Sequence, residues 1–199
     1  VHRKSIIVNG HNDICFDLVE KRSRGEKDII DREHAPPMLA GGLTVSLETV
    51  GGDSSLRYTF PLRALAHIHS HLYPLKRAIH TLDAFRSELE ENPRGRIILA
   101  TRMADIERAK AEGKVAFVLT LEGGAPLEDD LSILRTFYRL GVRSMSLTWN
   151  ERNLLADGQG EPSASGLSAL GVEAVQEMVR LGILVDVSHL SEAGFWDIA

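Results

Sequence analysis

Residues 115–124 read VAFVLTLEGG. From Val115 to Leu121 every residue except Thr120 is apolar. A run with no polar alternation fits a strand covered on both faces, as in a parallel sheet. The run ends in a carboxylate, Glu122, followed by Gly123 and Gly124, residues that let a backbone turn tightly.

Further β-rich runs lie at 6–8, 43–50, 143–149 and 183–187, with a weaker candidate at 97–100. Helical patterns fill the intervals. Leu62, Leu65, Ile68, Leu72, Leu75, Ile79, Leu82 and Leu89 keep three- and four-residue spacing, which predicts one apolar stripe. Pro74 is expected to kink that helix near its middle. Helices are also expected over 104–112, 131–140 and 167–181, stopped by Gly113, Gly141 and Gly182. Strand followed by helix, repeated, predicts βα units and a parallel sheet.

The strand ends favour a barrel over an open sheet. Each strand gives way to polar residues: His11 and Asp13, Glu48 and Thr49, Glu122, Thr148 and Asn150, His189. Polar groups gathered at C-terminal strand ends are how a (β/α)8 barrel builds its active site. The expected fold class is therefore α/β, the N-terminal portion of a (β/α)8 TIM-type barrel with about five of eight βα units. Residues 1–199 form a single domain in this reading. No phosphate-binding glycine motif follows the first strand, which argues against a nucleotide-binding fold. The breaker-rich stretch at 157–166, DGQGEPSASG, is expected to be a mobile rim loop.

Composition narrows the class. The 199 residues are 43 % hydrophobic and 26 % charged, ordinary for a globular protein. A net charge of −5 speaks against a nucleic-acid partner. One cysteine, Cys15, excludes an intrachain disulfide and suits a reducing, cytoplasmic compartment, with a removed leader as the alternative. Cys15 reads as a buried inert thiol before it reads as a nucleophile. No apolar run approaches the ~20 residues of a membrane span.

The chemistry-bearing residues are histidines and carboxylates. In NGHND (9–13), His11 and Asp13 lie two apart and so share a strand face, giving two ligands for a borderline cation such as zinc. The alternative is a polar turn in which Asp13 caps the next helix. Glu122 needs a partner at its depth, either a metal or the donors of its own turn. His189 alone reads as a satisfied core histidine; with His11, Asp13 and Glu122 it reads as a ligand. His67 and His71 in HIHSH are four apart, a spacing that can bind zinc, but they lie off the apolar stripe and read as a solvated face.

These segments together resemble the renal (membrane) dipeptidases and their bacterial relatives, zinc enzymes on an amidohydrolase-like barrel. The resemblance runs through NGHND, AEGKVAFVLTLEGG, LGVRSMSLTWN, ADG and GLSALGVEAVQEMVRLGILVDVSH, in the family's order. It implies two zinc ions, with His11 and Asp13 on the first, Glu122 bridging both, and His189 on the second. It implies hydrolysis of dipeptides through a metal-bridging hydroxide, with Glu122 as bridge, not general base.

Two departures accompany the likeness. Trp149 stands where the mammalian enzymes carry a substrate-contacting histidine, so Trp149, with Asn150 and Arg152 at the rim, is a candidate substrate-binding position. The family's further zinc histidine, substrate arginine and late-strand aspartate would lie beyond Ala199, which implies a chain lacking the C-terminal part of the barrel. Alternatives are a different metal-dependent amide or lactam hydrolase on the same barrel, or an inactive fragment. Such a fragment would associate through its open barrel edge, as a homo-oligomer or with a complementing C-terminal segment.

Overall fold

A computed structural model describes residues 4–53 and 73–199. Its strands are β1 (Val8–Asn12), β2 (Val45–Gly52), β3 (Ile97–Leu99), β4 (Val115–Glu122), β5 (Val142–Ser146) and β6 (Leu184–Asp186). The order is β1-β2-β4-β5-β6, with β3 pairing β4, and the pairs β1–β2, β3–β4 and β5–β6 are parallel. The α-helices are α1 (Ile14–Ser23), α2 (Ala35–Ala40), α3 (Pro74–Glu91), α4 (Met103–Glu112), α5 (Leu131–Arg139), α6 (Ala169–Leu181) and α7 (Glu192–Ile198). A π-helical turn, Ile30–His34, leads into α2.

The residues group into two compact units. One comprises Val1–Val50 and His80–Thr120, the other Gly51–Ile79 and Leu121–Ala199.

In the first unit, Val45, Ala100, Ala109, Ala116 and Val118 form a buried cluster backed by Leu47, Ile98 and Ile106. Small alanines on α4 and β4 bring helix and sheet close. Phe117 and Phe85 meet edge-on with ring centroids 6.5 Å apart, a geometry worth about 1 kcal/mol beyond area burial. In β4, the seven residues from Val115 to Leu121 are all buried, as the uninterrupted run predicts. The second unit is organised around β5, β6 and helices α5 to α7. Ser168 caps α6 by accepting from Gly171 N at 3.0 Å, and Gly182 ends that helix in the left-handed region at φ +75. Gly113 ends α4 in the same way, at φ +66.

The weak candidate at 97–100 is a short strand, as expected, and lies off the main path of the sheet. Two expectations change. Pro74 does not kink a helix: it is the first residue of α3, where its missing N–H costs nothing. The buried face of α3 is Ala78, Thr81, Leu82, Phe85 and Glu88, while Ile79 is 40 % exposed. Gly51 explains part of this rotation. A Cβ there would lie 2.8 Å from Ala78 Cα, so β2 and α3 touch through their smallest residues. The segment holding Leu62, Leu65, Ile68 and Leu72, with His67 and His71, lies outside the described residues. No helix among the described residues is long and apolar enough to cross a membrane.

Candidate metal centre

The end of β1 carries the first pair. His11 Nε2 lies 3.2 Å from Asp13 Oδ2, and both side chains are a little under half exposed. Asp13 occupies the N-cap position of α1, yet its side chain makes no capping bond. The carboxylate that sequence offered as a helix cap is turned to the imidazole instead. Cys15, two residues on, is buried on α1.

Beside this pair stands Glu48, in register with Asn12 on the neighbouring strand. It is fully buried. Asn12 Nδ2 donates to Oε1 at 3.0 Å, while Oε2 has no hydrogen-bond partner among the described residues. Burial pushes the carboxyl up to about 7, outweighing the Asn12 and Ser46 hydroxyl interactions; the charge of Asp13 adds to the rise and that of His11 opposes it.

At the end of β4, Glu122 Oε1 lies 3.1 Å from His189 Nε2. The turn after Glu122 requires glycine. Gly123 has φ +107, and a Cβ on it would fall 2.3 Å from Asp53 Cγ. A Cβ on Gly52 would fall 1.9 Å from the Glu122 carbonyl oxygen. Asp53 pins these segments together: its carboxylate accepts from Ala125 N at 2.7 Å, Trp149 N at 3.0 Å and Asn153 Nδ2 at 2.9 Å. Burial raises its pKa, while those three donors and the charge of Arg77 hold it down.

His189 sits at φ +64, in the left-handed region that a non-glycine residue seldom occupies. Such strain persists only where surrounding bonds fix it, and it gathers at functional sites. Its Nδ1 lies 3.0 Å from Asn150 Oδ1, and its carbonyl accepts from Gln159 N at 2.8 Å. The Trp149 ring stands 6.1 Å from the imidazole, centre to centre, tilted by 57°.

Of the candidate rim residues, Trp149 and Asn150 face His189. Arg152 does not: its guanidinium grips Asp157 at 2.5 and 2.9 Å. Asp157 is buried, also accepts from Ser165 N at 2.7 Å, and is held down to about 2, first by Arg152. Arg152 therefore braces the 157–166 loop, which these bonds tie down at both ends. Glu48 was one of the polar strand-end residues; Asp53 and Gln159 are additions that residue type alone did not single out. For Asp53 the one local signal was its place after two glycines.

Each pair sets an imidazole beside a carboxylate, the mixed nitrogen and oxygen donors that zinc takes. The sequence profile of the membrane dipeptidases, peptidase family M19, matches residues 1–199. The chain belongs to this family.

Its relatives agree. The M19 chain is 38 % identical over 104 residues to the dipeptidase tcpJ of Claviceps purpurea, a match covering 51 % of this chain and 24 % of that protein. It is 39 % identical over 85 residues to dipeptidase 3 of Rattus norvegicus, covering 40 % and 17 % respectively. Among solved structures, the M19 metallopeptidase dipeptidase AC superposes with TM-score 0.77 at 26 % identity, over 97 % of this chain and 59 % of that one. The probable dipeptidase PvdM of Pseudomonas aeruginosa shares the fold, at TM-score 0.79 and 21 % identity, over 99 % of this chain and 50 % of that one. This M19 chain thus spans a quarter or less of those two curated relatives and half or more of the two structures. Its α/β succession of parallel strands and helices is consistent with part of a TIM-type barrel.

Proposed function

We propose that this chain carries the metal-holding part of a zinc-dependent dipeptidase. His11 and Asp13 would hold one ion, Glu122 would bridge, and His189 would hold the second. The observation that carries this reading is the twofold pairing of imidazole with carboxylate, at 3.2 and 3.1 Å, at strand ends of an M19 chain. Bound zinc would supply Lewis acidity and an ionised water near neutral pH.

The chain's own residues do the rest. Asp53 fixes the backbone behind Glu122 and the amide of Trp149, so carboxylate and indole are placed by one buried anchor. Trp149 would give the substrate side an apolar wall beside His189. Asn150 turns its Oδ1 to His189, and Arg152 binds Asp157 through Nε and Nη2. The substrate class we propose is a dipeptide, as in relatives named dipeptidase.

Elemental analysis of the metal-replete chain tests the site. One to two zinc ions per chain are expected, the first lost in Asp13→Ala and a second, where it binds, lost in His189→Ala. Wild-type protein that takes up no zinc would overturn the reading. A panel of L,L-, L,D- and acylated dipeptides, assayed with the longer native protein, tests the substrate class. Cleavage of none of them would overturn it.

A further inference from the structure

Resting on that metal reading, we propose that Asn150 is a positioning residue for His189: it holds the ring as the Nδ1–H tautomer and so presents Nε2 to the cation. The argument starts from a carboxamide oxygen, which can accept a hydrogen bond but never donate one. Asn150 Oδ1 lies 3.0 Å from His189 Nδ1, so the proton between them belongs to the ring. The lone pair is then on Nε2, the nitrogen that faces Glu122. A ligating histidine gains both orientation and basicity when its other nitrogen is bonded in this way.

The acceptor is itself held. Gln159 Nε2 donates to Asn150 Oδ1 at 3.2 Å, which keeps the oxygen and not the amide nitrogen on the histidine side. Gln159 Nε2 also stands 3.3 Å from Nδ1 and would be the donor in the opposite tautomer. The shorter Asn150 contact and the acceptor-only oxygen decide against that arrangement. Backbone bonds fix both partners: Gly160 N donates to Asn150 O at 2.8 Å and Gln159 N to His189 O at 2.8 Å. Gly158 and Gly160 make the close approach possible, since a Cβ on either would fall 2.6 Å or less from the nearest backbone atom of Trp149 or Asn150. The glycines of the DGQG stretch are thereby explained as room for a support behind the ligand.

The test uses the whole chain, labelled with ¹⁵N-histidine and loaded with ¹¹³Cd²⁺ as the probe, beside zinc competition against a chelator. Scalar coupling from cadmium to Nε2 of His189 is expected, with Nδ1 showing the shift of a protonated nitrogen. Asn150→Leu, similar in size but without an acceptor, should weaken zinc binding about 10- to 100-fold. Asn150→Asp, which restores the acceptor, should recover most of the loss. Cadmium coupling to Nδ1 in the wild type, or unchanged zinc affinity in Asn150→Leu with its circular dichroism intact, would overturn the proposal and leave the metal reading standing. Failure of the wild type to bind either ion would overturn both.

Discussion

Glu48 shows how much one buried carboxyl can report. Its pKa rises from 4.5 to about 7 on folding because burial cuts it off from water. The folded state therefore binds the proton more tightly than the unfolded chain does. Stability on this account is complete below pH 4.5 and declines as the pH climbs through about 7. At about 1.4 kcal/mol per unit, the decline is of order 3 kcal/mol. In metal-free buffer, Glu48→Gln should melt with the wild type near pH 4.5 and above it at pH 8, measured as Tm by circular dichroism. A wild-type Tm as high at pH 8 as at pH 4.5 would show that the carboxyl is satisfied by some other group. At this scale, sequence revealed residue types but not directions. Asp13 had two readings, cap or ligand partner, and the geometry turns it to His11. For Arg152, sequence offered a rim position but not its partner, the buried Asp157 five residues away.

Elements were easier to read than the faces they bury. The run 115–121 declared a doubly covered strand because burial on both sides leaves a local mark in composition. Gly113 and Gly182 marked helix ends because the left-handed turn itself demands glycine. The stripe expected along α3 holds at Leu82 and turns away at Ile79, because the neighbour's shape favours alanine against Gly51. The start of α6 provides a quantitative check. Ser168 Oγ accepts from Gly171 N and donates to Leu154 O at 2.6 Å, so it closes the helix and fastens the preceding loop. Ser168→Ala should cost about 1 kcal/mol, seen as a lower urea midpoint at unchanged m-value. A neutral result would mean that water replaces both bonds.

On the scale of the whole molecule, family membership was legible because its motifs are short, separated and ordered along the chain. The bonds that assemble the site were not legible, because their partners are remote in sequence. Asp53 binds groups 72, 96 and 100 residues further on. That separation has a kinetic meaning. Bringing such distant segments together carries a loop-closure cost that nearby pairings avoid, so these contacts belong late in folding. Asp53→Ala should accelerate unfolding while leaving the refolding rate nearly unchanged, as stopped-flow denaturant jumps would measure. Slower refolding with unchanged unfolding would place the anchor in the folding nucleus instead. If the anchor forms last, a newly made chain has its strands and helices before Glu122 and Trp149 are set. On the proposed metal reading, zinc reaching it early would meet loose carboxylates and imidazoles, and only the finished molecule would discriminate among ions.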